Sequence, residues 1–302
     1  MLEPAYRIGI DLGGTKIELA AFDAHDHECL RKRVPTPRQD YRATIKTLRD
    51  LVLEAEGTLG QRATVGIGTP GSLSPVSGLV RNANSTCLNG QPFKQDVEAV
   101  LEREVRLAND ANCFTVSEAR DGAGAGADVV FGVILGTGVG GGLAVHGRLL
   151  AGANAIAGEW GHNPLPSIGP EDLPLPICYC GRSGCVETYL SGPGLSRDHF
   201  AATGNSLSAE AIARSAESGD PQCAGSLERY EARLARSLAI LVNVLDPDVI
   251  VLGGGLSHIQ RLYGTVPRLW LPHIFSDTVR TRLLPNRHGD SSGVRGAAWL
   301  WG

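Results

Sequence analysis

Twice along this 302-residue chain a short apolar run breaks at a glycine cluster and then resumes. Residues 7–11 lead into Leu12-Gly13-Gly14-Thr15, and 16–22 follow. Residues 129–135 lead into Gly136-Thr137-Gly138-Val139-Gly140-Gly141-Gly142, and 142–146 follow. Apolar runs of this length bounded by a glycine turn read as buried strands, and each pair as a returning hairpin. Two halves that both open this way predict a duplicated α/β design with a cleft between two lobes. No repeat of fixed period accompanies it, so the likeness is one of pattern.

The intervening segments fit that design. A third strand is expected at 29–34. Over 40–56, Ile45, Leu48, Val52 and Leu53 recur at helical spacing. A strand at 64–68 runs into the turn Thr69-Pro70-Gly71, and 72–95 reads as polar loop. A helix ending over 98–102, a strand at 105–108 and a helix at 111–120 close the first half. In the second, Leu227, Tyr230, Leu234, Leu238, Leu241 and Leu245 step by three and four along one face of a long core helix closed by Asp246-Pro247. A strand at 249–252 ends in Gly253-Gly254-Gly255, and 294–300 reads as a terminal helix.

Composition removes several function classes. A 42% hydrophobic and 20% charged content supports a well-buried core. The net charge of -4, with Lys and Arg spread thinly, leaves no basic footprint for nucleic acid. The uncharged run 129–145 is broken by glycines and falls short of the roughly 20 apolar residues a bilayer-crossing helix needs. No charged leader or apolar signal region opens the chain, so the expectation is a cytoplasmic protein with no membrane partner. Seven cysteines, three of them packed together, read as metal ligands plus free thiols.

Three glycine-rich turns follow expected strands: at Asp11-Leu12-Gly13-Gly14-Thr15-Lys16, at 136–142, and at Gly253-Gly254-Gly255. Glycine lets backbone amides converge on an anion. Thr15 and Thr137 add hydroxyls, Lys16 a positive charge, and Asp11 stands where it could face a magnesium-bound water. Any one turn alone is equally well a hairpin in which glycine supplies positive φ. Three together, two carrying threonine, favour phosphate. Residues 136–141 also fit G-x-G-x-x-G, but strand rather than helix continues beyond them, which removes the dinucleotide reading. No Walker-type loop is present.

Cys178 and Cys180 are separated by one residue, Cys185 follows after four more, and His162 lies upstream. Three cysteines and a histidine form a four-ligand structural zinc composition that leaves no position for water. The alternative is free thiols beside an unrelated histidine. Asn109-Asp110-Ala111-Asn112 falls where a strand gives way to a helix. There Asp110 is either a general base for a substrate hydroxyl or the helix cap. Asn82-Ala83-Asn84 is either loop or a set of amide partners for a polyhydroxylated ligand.

With these motifs in view, the chain resembles the ROK family of sugar kinases (repressor, open reading frame, kinase), within the actin–Hsp70–hexokinase superfamily. Glu159-Trp160-Gly161-His162 and Cys178-Tyr179-Cys180-Gly181-Arg182-Ser183-Gly184-Cys185-Val186-Glu187 match its two signatures. The resemblance runs from Asp11 to the terminal Gly289-Asp290-Ser291-Ser292-Gly293-Val294-Arg295-Gly296. It implies a two-lobed, ribonuclease H-like duplicated fold: a small lobe of 1–112 joined by 290–302, and a large lobe of 113–289 carrying the zinc loop. It implies Asp110 as catalytic base, with Gly71, Asn84, Asn109, Glu159, His162 and Glu187 on the sugar. Gly13, Gly14, Thr15, Thr137 and Gly138 would hold ATP phosphates, and Gly254 and Gly255 would lie near the adenosine. His162 would bind zinc through one ring nitrogen and face the sugar with the other. ATP, Mg2+ and structural Zn2+ are the implied cofactors, a hexose the substrate, and a homodimer the implied assembly.

Among subfamilies, residues 80–93 and 158–166 resemble bacterial fructokinase (manno(fructo)kinase), whereas N-acetylglucosamine kinases usually carry Phe where Trp160 stands. The expected reaction is therefore ATP-dependent phosphorylation of the 6-hydroxyl of D-fructose, with D-mannose second. The alternative acceptor is N-acetylglucosamine or glucose. A sugar-responsive repressor on the same fold would need an N-terminal helix-turn-helix, for which no room is expected ahead of Asp11.

Overall fold

The structure is a computed structural model that describes residues 5–83 and 85–301, Asp290 by its backbone alone. The expected sugar ligand Asn84 thus lies outside the described residues. The chain divides into two compact units, Met1–Asp121 with Arg148–Ala157 and Asp290–Gly302, and Gly122–Gly147 with Gly158–Gly289.

The first unit holds β1 (Tyr6–Leu12), β2 (Lys16–Asp23), β3 (Glu28–Pro35), α1 (Tyr41–Leu59), β4 (Thr64–Thr69), a small hairpin of β5 (Ser72–Leu73) and β6 (Val80–Arg81), α2 (Phe93–Leu101), β7 (Arg106–Asn109) and α3 (Asp110–Arg120). Its sheet runs β3-β2-β1-β4-β7. The β1–β2 and β2–β3 pairs are antiparallel, and β4 and β7 add in parallel. α1 starts where the Asp40 carboxylate accepts from the Ala43 amide at 2.9 Å, and stops at Gly60 with φ +73°. Its buried stripe is Ile45, Leu48, Leu51 and Val52, whereas Leu53 points to solvent. Ile45, Leu48 and Val52 thus face inward as expected, and Leu51 takes the place expected of Leu53. The C-terminal α9 (Ser292–Ala298) belongs to this unit. It lies on the sheet because β1 and β4 carry Gly9 and Gly66, where a Cβ would stand 2.0 Å from Val294 O and 1.8 Å from Ala297 O.

Residues 72–95, expected as loop, contain the β5–β6 hairpin, a 3₁₀ turn at Thr86–Leu88 and the first turn of α2. Strands of two residues are too short to show alternation. α2 is fixed by three buried side chains, Phe93, Val97 and Leu101. The unit boundary falls after α3 rather than at 112/113, because α3 packs on α9. The short β10 (Arg148–Leu149) also belongs to the first unit.

The second unit repeats the plan. β8 (Val129–Leu135) and β9 (Val139–Val145) form an antiparallel hairpin, and β11 (Val249–Gly253) and β12 (Arg282–Pro285) join β8 in parallel order. The turn is shorter than expected. Gly140, Gly141 and Gly142 are strand residues paired with Ile134, Val133 and Gly132. Helices α4 (Val186–Leu190), α5 (Gly192–Thr203), α6 (Ala209–Glu217), α7 (Pro221–Leu245) and α8 (Leu262–Leu269) complete it. α7 buries Leu227, Tyr230, Leu234 and Leu238, each within about 1% of complete burial. Such side chains contribute roughly 1.5–3 kcal/mol apiece. The 167–177 segment is pinned to α7 by Asp172, fully buried and paired with Arg233 at 2.8 Å and with Arg236. Among the described residues no helix is long and apolar enough to cross a membrane.

Candidate active site

In the first unit Asp11, Gly13, Gly14 and Asp110 come together around one cavity, whose lining does not include Thr15, Lys16, Gly71 or Asn109. The β1–β2 turn is closed by Gly13 N–H donating to Lys16 O at 3.0 Å, and Thr36 braces it through its hydroxyl to Gly13 O at 2.7 Å. Asp11, Gly13, Gly14 and Asp110 line one cavity of about 510 Å³, with Arg38 and Ser85 on its wall. That volume suits a small polar ligand. Gly71 holds φ +76° against Arg81 O and Ala83 N, a place only glycine fits.

The cap of α3 is Asn109, whose side chain accepts from Asn112 N–H at 2.7 Å. This resolves the capping alternative: Asp110 is the first helical residue, and its Oδ1 accepts from Ala111 N–H at 2.8 Å. The residue as a whole is exposed, yet desolvation of the carboxylate by the surrounding protein holds its pKa above the ordinary range against the lowering pull of two backbone amides. Asp11 is pushed up to about 6, first by burial and then by the charges of Asp110 and Glu18, with Lys16 pulling the other way. Lys16 lies 3.8 Å from buried Glu18, which Arg33 already engages at 2.8 Å. Two carboxylates that oppose each other's ionisation are a donor set that a divalent cation would relieve.

In the second unit Gly254 (φ +78°) lets the end of β11 touch β8, with the place of a Cβ 2.5 Å from Leu135 O. Gly136, Thr137, Gly192, Arg214, Gly255 and His258 line a cavity of about 840 Å³. Gly138 lies beside it in the chain but does not line it, and its neighbour Val139 donates to Glu187 Oε2 at 2.9 Å.

The metal composition is assembled in space. One donor atom from each of His162, Cys178, Cys180 and Cys185 lies within 4.8 Å of every other. Cys178 Sγ to His162 Nδ1 and Cys180 Sγ to Cys185 Sγ are both 3.6 Å. A tetrahedral ion with bonds of about 2.0–2.3 Å has edges of about 3.5–3.8 Å, so one ion fits with every position supplied by the protein. Arg182 draws the Cys180 thiol toward the thiolate a metal takes.

His162 turns Nδ1 to the sulfurs, but its Nε2 meets the Tyr179 hydroxyl at 2.9 Å. The expected sugar contact through that nitrogen therefore requires the phenol to give way. Tyr179 escaped the sequence reading because nothing in a two-cysteine spacing tells where the intervening side chain points. It is 80% exposed.

The ROK family matches residues 7–302. The chain is 43% identical over 296 residues to an N-acetyl-D-glucosamine kinase of Yersinia pseudotuberculosis, covering 97% of each chain. It is 41% identical to one of Salmonella gallinarum, over 97% of this chain and 98% of the other. Among solved structures it is similar to a ROK hexokinase from Thermus thermophilus, with TM-score 0.86 and 30% identity over 98% and 97% of the two chains. A ROK family glucokinase from Streptomyces griseus, in complex with glucose and AMPPNP, aligns with TM-score 0.74 at 28% identity over 98% of each chain.

Proposed function

This chain belongs to the ROK family and is an ATP-dependent sugar kinase, and we propose that its acceptor is N-acetyl-D-glucosamine, phosphorylated on the 6-hydroxyl. The observation that carries the choice of acceptor is the 43% identity, end to end, with N-acetyl-D-glucosamine kinases. Those relatives favour this sugar over fructose. In the two segments behind the fructose reading, two side chains have structural duties. Trp160 is buried, 4% exposed, and its indole N–H donates to Gly140 O at 2.9 Å. In the 82–90 loop Asn89 staples the chain, accepting from Ala83 N at 2.9 Å and donating to Ala83 O at 3.0 Å. Neither side chain is spare for telling sugars apart.

In the proposed reaction Asp110 takes the proton of the attacking hydroxyl. Ala111 N–H fixes Oδ1, which leaves Oδ2 to accept, and the raised pKa makes the carboxylate a better base. Asn109, Gly71, Asn84, Glu159, His162 and Glu187 orient the sugar. The amides and hydroxyls of Gly13, Gly14, Thr15, Thr137 and Gly138 receive the nucleotide phosphates with Lys16, and the cavity beside Gly254 and Gly255 receives the adenosine. A magnesium ion held by way of Asp11 would offset charge on the phosphate oxygens. His162, Cys178, Cys180 and Cys185 would hold zinc as a closed, structural site.

The reading is tested by incubating the protein with Mg-ATP and N-acetylglucosamine and assigning the product by 31P and 13C NMR. Phosphate on carbon 6 is expected, and phosphate on carbon 1 would refute the placement of the sugar.

A further inference from the structure

The metal-binding segment does not end at its ligands. Two residues before His162, Trp160 donates to Gly140 O at 2.9 Å. Gly161, between them, lies so close to β9 that a Cβ would stand 2.2 Å from Val139 O. Two residues after Cys185, Glu187 accepts the Val139 N–H at 2.9 Å through Oε2, and that oxygen fills the space a Gly138 side chain would need, 2.7 Å away. Five residues further on, Gly192 N–H donates to Gly136 O at 2.8 Å. The turn Gly136-Thr137-Gly138 is thus held on both sides by chain that the three cysteines and His162 tie together.

We propose that the metal module is a positioning device for the nucleotide-phosphate turn at 136–138, with Trp160 and Glu187 as the positioning residues. The inference rests on the reading of that turn as phosphate-binding. It differs from the expectation for a metal that only shapes a sugar pocket. Loss of the ion frees both Trp160 and Glu187, so nucleotide affinity falls together with sugar affinity. Each hydrogen bond lost corresponds to about a fivefold change in affinity.

The test is calorimetric titration of Mg-ADP in the absence of sugar, on the metal-loaded protein, the chelator-stripped protein, and the metal-loaded variants Trp160→Phe, Glu187→Ala and Glu187→Gln. Phenylalanine fills the indole's place without its donor. Alanine strands the Val139 amide, whereas glutamine keeps an acceptor for it. Expected are about fivefold weaker ADP binding for Trp160→Phe and Glu187→Ala, near wild-type binding for Glu187→Gln, and a larger loss on metal removal. Faster amide hydrogen exchange at 136–140 should accompany that loss. If stripping unfolds the chain, the three variants decide. Wild-type ADP affinity in Trp160→Phe and Glu187→Ala, with sugar affinity alone reduced, would overturn the inference and leave the kinase reading standing. No ADP binding to the metal-loaded wild type would instead remove the reading of the turn, and the inference with it.

Discussion

Replacing Asp11 with asparagine should make the ligand-free protein more stable while it disables catalysis. The carboxyl of Asp11 is raised from 3.8 to about 6 by burial and by its neighbours Asp110 and Glu18. Below about pH 3.8 it is protonated in both the folded and the unfolded chain, and its environment carries no penalty. Between pH 3.8 and about 6 the unfolded chain ionises first, so stability falls, and above pH 6 the deficit is complete. A rise of about two units at 1.36 kcal/mol per unit sets an upper bound of about 3 kcal/mol. Asp11 is only partly buried, and solvent screening lowers the expected gain to roughly 1–2 kcal/mol. The assay is urea unfolding of wild type and Asp11→Asn at pH 4 and pH 8, without nucleotide or magnesium. The variant should be the more stable at pH 8, and the gap should close at pH 4. A variant destabilised at pH 8, or a gap independent of pH, would refute the reasoning that this carboxylate is held ionised against its surroundings for a cation's sake.

Three further outcomes follow from particular contacts. Asp110→Asn keeps the Ala111 hydrogen bond but cannot accept a proton, so turnover should fall about 10²–10⁴-fold while ADP affinity by calorimetry changes little. Tyr179→Phe removes the partner that fixes His162 Nε2, so competition with a chromogenic chelator should show about tenfold or greater loss of zinc affinity. Asp172→Ala leaves Arg233 and Arg236 buried without their shared carboxylate, and the denaturant midpoint should report a loss of about 3–5 kcal/mol.

How much the sequence disclosed depended on how local each signal was. The β1–β2 and β8–β9 hairpins were legible because an apolar run and its glycine turn are contiguous. The sheet that repeats β2-β1-β4-β7 as β9-β8-β11-β12 follows the duplicated pattern. α7 declared itself through six apolar residues on one face. The β5–β6 hairpin did not, since two-residue strands have no period. Leu53 was grouped with Leu48 and Val52, yet it stands five residues from the one and next to the other, whereas Leu51, three after Leu48, keeps the helical spacing and is buried. That His162, Cys178, Cys180 and Cys185 would come together was readable from composition and spacing, as was the placing of Asp110 where β7 gives way to α3. What each side chain's second polar atom meets was not. Tyr179 against His162, Glu187 against Val139 and Trp160 against Gly140 are long-range contacts with no sequence period. The last of these also explains why a tryptophan read as a mark of sugar preference is a brace for β9.

The measurement that bears most directly on the central claim is a coupled ADP-release assay with Mg-ATP against N-acetylglucosamine, glucose, mannose and fructose, with Asp110→Asn as control. A kcat/KM for N-acetylglucosamine at least tenfold above that for every other sugar, with turnover lowered about 10²-fold or more in the control, is the predicted result. A preference for fructose would contradict the proposed acceptor, and turnover undiminished by Asp110→Asn would contradict the proposed base.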